Sequence, residues 1–153
     1  MQVRLIAVDR VRTPYVAQAC EELRKRIAPY FPYEEIEVAP GNGRDPRAAM
    51  RDESSRILKH LRGDDRVWLV ERTGTSLSSL DVASRIEEIA HAGTRRWSLI
   101  VGGTYGADAA LHARAEFAWS LSTLTFLHEW ARMIVLEQLY RAAKIARNEP
   151  YHH

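Results

Sequence analysis

Short apolar runs alternate along this chain with amphipathic segments. The runs are rich in Val, Ile and Leu, and they predict buried strands over residues 3–8, 36–39, 67–70 and 98–101. Between them, apolar residues recur at helical spacing and predict helices over residues 14–28, 48–61, 78–91 and 108–116. Strands that alternate with helices in this way predict an α/β fold, with a parallel sheet covered by helices on both faces.

Local signals mark the helix ends and the loops. Thr13, which precedes a proline, is placed as the N-cap of the first helix, and either Ser78 or Ser79 caps the third. Residues 71–76 are polar and predict a loop at the C-terminal end of a strand, where open α/β sheets bind ligands. Residues 40–46 also predict a loop. Its glycines favour an ordinary turn over a phosphate-binding loop, because no Gly-Lys-Ser sequence follows them.

The last helix, predicted over residues 129–147, is apolar on more than one side. One stripe at helical spacing consists of Ala131, Val135, Leu139, Ala142 and Ala146, and further apolar residues point elsewhere. Such a helix needs more than one partner to bury it. We expect the second partner to be another copy of the chain in a symmetric dimer, with a central helix inside one monomer as the alternative.

Composition narrows the class of protein without identifying a partner. The 153 residues predict a single domain, 1–153, whose core needs no disulfide or metal to hold it together. The formal net charge of +2, from 22 basic and 20 acidic residues, neither requires nor excludes a nucleic acid. Neither a membrane span nor a signal peptide is predicted. With a single cysteine, Cys20, the chain cannot form an internal disulfide, and we expect a cytoplasmic protein without a membrane partner.

Several predicted strands end in residues suited to a small-molecule site. A strand that runs into paired glycines brings its backbone close to a ligand, and hydroxyl groups along residues 121–126 suit a polar molecule with an apolar part. If these ends lie side by side, they form one pocket. Its candidate residues are Val70, Gly102, Gly103, Leu121, Ser122, Thr123, Leu124, Thr125 and Phe126.

The order of segments in the last third closely resembles the ribosomal RNA large-subunit methyltransferase H family. The resemblance rests on Leu-Ser-Thr-Leu-Thr-Phe-Leu-His at 121–128, Arg132, Leu-Glu-Gln-Leu-Tyr-Arg-Ala at 136–142 and Pro-Tyr-His at 150–152. It extends to the opening Leu-Ile-Ala-Val at 5–8 and to the chain length, so it covers essentially the whole chain.

The resemblance implies a SPOUT-type methyltransferase with a C-terminal trefoil knot. In that family the pocket segments hold S-adenosylmethionine, and the methyl group goes to ring nitrogen N3 of a pseudouridine in large-subunit ribosomal RNA. The implied partners are that RNA or the assembled ribosome, and a second copy of the chain.

Roles for the remaining candidate residues follow from the chemistry of that reaction. The uracil nitrogen must lose its proton, so we expect a catalytic base or a group that stabilises the resulting anion. The catalytic candidates are His152 and Tyr151, with Arg132 and Arg141 orienting phosphate or base oxygens. His128 and Arg141 are candidates for substrate binding. No metal is expected, because no Cys, Asp or Glu completes a ligand set with the terminal histidines.

The chain departs from the family pattern at a few positions. The opening strand ends in Val-Asp, with Asp9, where Val-Gly is usual, and Thr104 and Tyr105 follow the glycine pair where Pro-Glu or Ser-Asn is usual. Leu127 stands where Pro usually precedes the histidine. Backbone contacts from the glycines should survive these changes. Two alternative functions stay open: a knotted methyltransferase for another RNA such as transfer RNA, and an inactive, ribosome-associated RNA-binding dimer.

Overall fold

A computed structural model describes residues 1–42 and 45–150. Strands and helices alternate in the order β1 (Gln2–Val8), α1 (Pro14–Ile27), β2 (Tyr33–Val38), α2 (Pro46–Leu58), β3 (Arg66–Ser76), α3 (Ser79–His91), β4 (Arg96–Val101), α4 (Ala109–Arg114), β5 (Phe117–Ser120) and α5 (His128–Ala146). The strands form one parallel sheet in the order β2-β1-β4-β3-β5. The predicted α/β architecture is confirmed, and the trefoil knot stays a prediction.

The two faces of the sheet bury alternate residues of β1. Val3, Leu5 and Ala7 face a core that contains residues of α1, α3 and α5. Ile6 and Val8 face the other core, with residues of α2 and α4. This period of two is why β1 is apolar at nearly every position: a strand covered on both sides has no face left for water.

Helix α5 packs between α1 and α3 on one face of the sheet. These two neighbours bury Val135, Leu136 and Leu139 completely. Helix α5 therefore has two partners within the chain, and the dimer stays a prediction. Trp130, on the same helix, remains 39% exposed, so part of its apolar surface is still uncovered.

A glutamate of α5 holds the backbone that leads into α1. Thr13 occupies the N-cap position, but its side chain makes no capping hydrogen bond. Instead, the carboxylate of Glu129 accepts hydrogen bonds from the backbone amides of Arg12 at 2.8 Å and Thr13 at 3.2 Å. At α3 the prediction is confirmed for Ser78, which forms a capping box with Asp81.

The predicted loop over residues 71–76 is wrong, because β3 continues to Ser76. Pairing with β4 ends at Val70. Pairing with β5 shifts register between Val70 and Thr75, and Thr75 then pairs with Trp119. Gly74 permits the close approach: a Cβ there would lie 2.5 Å from the carbonyl oxygen of Ala118.

The segment over residues 118–126 is a strand only in its first part. Strand β5 ends at Ser120, and residues 121–127 run outside the sheet until His128 begins α5. The side chains in this connection are therefore not fixed by strand alternation, and they turn toward the ends of β3 and β4, as described below.

Candidate functional site

The C-terminal ends of β4, β3 and β5 form one side of a cleft of about 510 Å³. This volume lies in the range of about 300–1,000 Å³ typical of small-molecule sites. The cleft is lined by Leu69, Val70, Glu71, Arg72, Thr73, Val101, Gly102, Gly103, Thr104, Tyr105, Gly106, Ala107, Leu121, Ser122, Leu124, Thr125, Phe126, Leu127, His128 and Ala131. The three strand ends lie next to one another because β3 is the central strand of the trio.

Most of the predicted pocket residues lie on this cleft. They are Val70, Gly102, Gly103, Leu121, Ser122, Leu124, Thr125 and Phe126. Thr123 is not among the lining residues. The hydroxyl of Ser122 accepts a hydrogen bond from the Leu124 amide at 3.0 Å, so this hydroxyl shapes its own turn and does not simply face a ligand.

The glycines after β4 form a turn. The Gly106 amide donates to the Gly103 carbonyl at 3.1 Å, and Gly106 has a φ of 81°, which a residue with a side chain rarely adopts. A Cβ on Gly102 would lie 3.3 Å from the Gly106 carbonyl oxygen. Thr104 and Tyr105, which depart from the family pattern, occupy the centre of this turn. Neither has a positive φ, so the turn does not require glycine at these two positions.

Gly103 is packed against protein. A Cβ at this position would lie 2.5 Å from Oε2 of Glu53, a residue of α2 that is only 5% exposed. The glycine pair predicts the close approach of a ligand. The structure gives a second reason, which is the approach of a buried carboxylate.

Sequence reasoning missed Glu71 and Arg72 as individual site residues. Both line the cleft on the part of β3 that extends beyond β4. Glu71 Oε1 lies 3.4 Å from Nε2 of His112. The Arg72 carbonyl accepts a hydrogen bond from Ser120 at 3.0 Å, and its exposed guanidinium has no charged partner among the described residues. Their position just after a buried strand was the available signal.

His128 begins α5 and lines the cleft. Its Nε2 atom is buried and has no hydrogen-bond partner within the described part of the chain. A buried ring nitrogen without a partner is costly, and a polar atom of a ligand in the cleft would satisfy it.

Arg132 lies in the interior and not on the cleft. Its side chain is fully buried, and it pairs with Glu37 at 2.6 Å and Glu35 at 3.3 Å. It also donates to the carbonyl of Asp9. The expectation that Arg132 orients phosphate or base oxygens is therefore corrected: this arginine joins α5 to β2 and to the end of β1.

Arg141 is also absent from the residues that line the cleft. Its Nε donates to Oε1 of Glu137, one helical turn earlier, at 2.9 Å. Tyr151 and His152, the candidate catalytic residues, lie outside the described residues. No group of three or more His, Cys, Asp or Glu side chains in the described ranges could hold a metal ion. No helix there is long and apolar enough to cross a membrane.

Comparison with known proteins identifies the family. The profile described as "Predicted SPOUT methyltransferase" matches residues 1–152. The chain belongs to this family. The ribosomal RNA large subunit methyltransferase H of Gloeobacter violaceus is 38% identical over 153 residues, with 100% of this chain and 99% of the relative covered. The protein of the same name from Stenotrophomonas maltophilia is 38% identical, with 99% of each chain covered.

One solved structure resembles the chain more distantly. The SpoU methyltransferase AviRb from Streptomyces viridochromogenes, crystallised in complex with AdoMet, has a TM-score of 0.46 and 12% sequence identity. The match covers 95% of this chain and 58% of that protein.

Proposed function

We propose that this SPOUT methyltransferase transfers a methyl group from S-adenosylmethionine to N3 of a pseudouridine in large-subunit (23S) ribosomal RNA. The observation that carries the proposal is the identity of 38% along the whole chain to two proteins named ribosomal RNA large subunit methyltransferase H. The cleft at the strand ends supports it, since it is lined by most of residues 121–128, one of the segments on which the resemblance to that family rests. We expect the reaction in the cytoplasm, on free ribosomal RNA or on the assembled ribosome.

The residues of the cleft fit the methyl donor. Leu121 and Phe126, which are partly exposed, offer apolar surface to an adenine ring, and the glycine turn leaves backbone groups open to polar edges. When bound, S-adenosylmethionine supplies an electrophilic methyl group on a sulfonium sulfur. The chain's own contribution is to bind this donor, exclude water and align the acceptor nitrogen, which can account for much of the acceleration.

Acceptor binding requires groups that handle a proton and negative charge. We assign contact with the RNA base to His128, whose Nε2 has no partner among the described residues. Arg72 replaces Arg132 as the arginine that orients phosphate or base oxygens, because it lines the cleft and is exposed. His152 and Tyr151 remain our candidates for removal of the N3 proton. Arg141 remains a candidate for contact with RNA outside the cleft.

We also propose that two copies of the chain form the working enzyme. Large apolar side chains lie exposed at the start of α1, at the start of α5 and just before it: Tyr15 at 63%, Leu124 at 67%, Leu127 at 70% and Trp130 at 39%. Tyr15 and Trp130 contact each other edge to face, with ring centroids 6.4 Å apart. Exposed apolar groups clustered in this way mark an interaction surface, and a symmetric pair would cover them twice.

The test is methyl transfer to defined RNA. Purified protein would be incubated with methyl-labelled S-adenosylmethionine and either intact ribosomes lacking the modification, isolated 23S ribosomal RNA, or transfer RNA. We expect label in the large-subunit RNA, recovered as 3-methylpseudouridine by mass spectrometry of nucleosides. Label confined to transfer RNA would support the first alternative. Ribosome association without transfer would support the inactive RNA-binding dimer.

A further inference from the structure

Glu53 is a buried acidic residue beneath the glycine turn. It belongs to α2, is 5% exposed, and contacts Gly103, whose backbone lines the cleft. Its Oε1 accepts a hydrogen bond from the Gly41 amide at 2.9 Å. Its Oε2 is buried and has no hydrogen-bond partner in residues 1–42 and 45–150.

Burying a carboxylate without a cation destabilises the fold, so the presence of Glu53 at this position requires an explanation. The nearby charged pair on α2 does not supply one: Arg56 bonds to Asp52 and to the carbonyls of Ala39 and Pro40. A purely structural anchor for Gly41 would require only a neutral acceptor. Among residues 1–42 and 45–150, no cation is therefore found to compensate the negative charge of Glu53.

The cleft is the neighbouring space in which a positive charge would balance it. A cleft of about 510 Å³ is roughly 8 Å across, comparable with the distance over which physiological salt screens charges. Glu71 and Arg72 also face this space, but they have opposite charges and are partly or fully exposed, so water weakens their effect. Glu53 is shielded from water by the protein, so its field reaches the cleft less weakened.

We infer that Glu53 is a specificity-determining residue that makes the cleft prefer a cationic sulfonium ligand to its neutral thioether counterpart. The inference rests on the proposed function, in which the donor carries a sulfonium and the product, S-adenosylhomocysteine, does not. Glu53 acts through the glycine turn and does not contact the reacting atoms. Its consequence is tighter binding of the donor and easier release of the product.

The experiment measures two affinities instead of a rate. Calorimetric titration would give the dissociation constants of S-adenosylmethionine and S-adenosylhomocysteine for the wild type, Glu53→Gln and the matched control Asp52→Asn. Glutamine keeps the size of the side chain and an acceptor for the Gly41 amide. Asp52→Asn removes a negative charge from the adjacent, more exposed position of the same helix.

We expect Glu53→Gln to weaken S-adenosylmethionine binding roughly 10-fold and to leave S-adenosylhomocysteine binding unchanged. Asp52→Asn should leave the ratio of the two affinities at the wild-type value. Glu53→Asp retains the charge, so it should retain the preference even if the shorter side chain weakens binding of both ligands. The thermal midpoint of Glu53→Gln should equal or exceed that of the wild type, because an unpaired buried charge is removed.

Equal losses for both ligands in Glu53→Gln would overturn the inference and leave Glu53 as a support for the turn. An unchanged ratio with unchanged affinities would also overturn it. In both cases wild-type binding of the donor would leave the proposed function intact. Wild-type protein that binds neither ligand would instead overturn the proposed function, and this inference with it.

Discussion

The guanidinium of Arg132 lies 2.6 Å from Oε1 of Glu37, in an ion pair that joins the last helix to an edge strand of the sheet. The arginine is fully buried, and its second carboxylate partner, Glu35, is mostly buried. A charge held in this way contributes through its partners, because removing one member leaves the others without compensation.

We predict that Arg132→Ala destabilises the fold instead of impairing the chemistry selectively. The free energy of unfolding should fall by about 3–5 kcal/mol, as for other buried ion pairs that lose one partner. Urea denaturation would measure this loss. At a temperature where the variant remains folded, its affinity for S-adenosylmethionine should match the wild type. A fully stable variant that has lost methyl transfer would contradict the assignment and return Arg132 to the reaction.

The hydrogen bonds that Glu129 accepts from the backbone just before α1 predict a dependence of stability on pH. Hydrogen bonds from the Arg12 amide and then the Thr13 amide hold the pKa of Glu129 below its ordinary value. Because the folded state has the lower pKa, the stabilisation is fully present above the ordinary glutamate pKa and is lost as the pH falls through the folded value.

We therefore expect Glu129→Gln to lower the free energy of unfolding by about 1 kcal/mol near neutral pH, because hydrogen bonds to a neutral amide contribute less than hydrogen bonds to a carboxylate. Urea denaturation of wild type and variant, repeated across acidic pH, would test it. The difference between them should shrink as the carboxylate of the wild type takes up a proton. Glu21→Gln, on the exposed side of α1, is the control and should show a smaller effect. If the difference in unfolding free energy between wild type and Glu129→Gln were independent of pH, the charge of the carboxylate would not be its cause.

Arg132 and Glu129 also show which contacts could not be predicted from the sequence. Strand ends that meet at one edge follow from the parallel α/β pattern, so Val70, Gly103 and Leu121 could be grouped before the fold was known. The partners of Arg132 and Thr13 could not. Glu129 is 116 positions from Thr13, and nothing in the local spacing of either residue indicates that this carboxylate would accept a hydrogen bond from the Thr13 amide.

The same limit applies to the glycines. The paired glycines correctly marked a place where the backbone is approached closely, but the sequence did not indicate what approaches it. Identifying Glu53 behind Gly103 required the packing of α2 against the turn after β4. The extension of β3 was missed for a related reason, since polar residues 71–76 lack the apolar pattern of a strand and pair only with β5.

Asp9 explains one departure from the family pattern and gives a further prediction. Its φ is 60°, in the left-handed region that glycine adopts freely and that asparagine and aspartate tolerate better than other residues. The usual Val-Gly ending of this strand is thus replaced by a residue compatible with the same backbone. Arg12 donates to both carboxylate oxygens of Asp9 at 3.1 Å.

We predict that Asp9→Ala costs about 1–2 kcal/mol of unfolding free energy, because alanine pays the full left-handed penalty. Asp9→Gly should recover most of this loss, although it also lacks the contact with Arg12. Thermal denaturation of the two variants beside the wild type would decide it. If alanine and glycine were equivalent, backbone conformation would not be the reason for the residue found here.

Gly74 tests whether the β3 extension holds the cleft together. A Cβ at this position would lie 2.5 Å from the carbonyl oxygen and 2.6 Å from the carbonyl carbon of Ala118, which are backbone atoms that cannot rotate away. We expect Gly74→Ala to cost about 1–3 kcal/mol, as overpacking does, and to weaken donor binding by displacing Glu71 and Arg72.

Gly63 is the matched control for this substitution. Nothing lies within 4 Å of a Cβ built at Gly63, and this glycine has no positive φ. Gly63→Ala should therefore leave stability unchanged or raise it by up to about 1 kcal/mol through the unfolded state. Chemical denaturation and donor titration of both variants would measure the contrast. Equal effects at the two glycines would show that the close approach to β5 is not required.

Arg72 gives the sharpest test of the RNA side of the cleft. This residue lines the cleft, is exposed and has no charged partner among the described residues, so its guanidinium can contact phosphate or a base oxygen. Arg72→Ala should raise KM for ribosomal RNA substantially while leaving the affinity for S-adenosylmethionine close to the wild-type value. If the contact is with a phosphate, the salt dependence of RNA binding should also decrease by about one unit of slope.

Arg51→Ala, at an exposed position of α2 outside the cleft, is the control and should leave all three quantities unchanged. Equal effects of the two substitutions would indicate general electrostatic attraction, and a loss of donor affinity in Arg72→Ala would assign this arginine to the donor instead of the RNA.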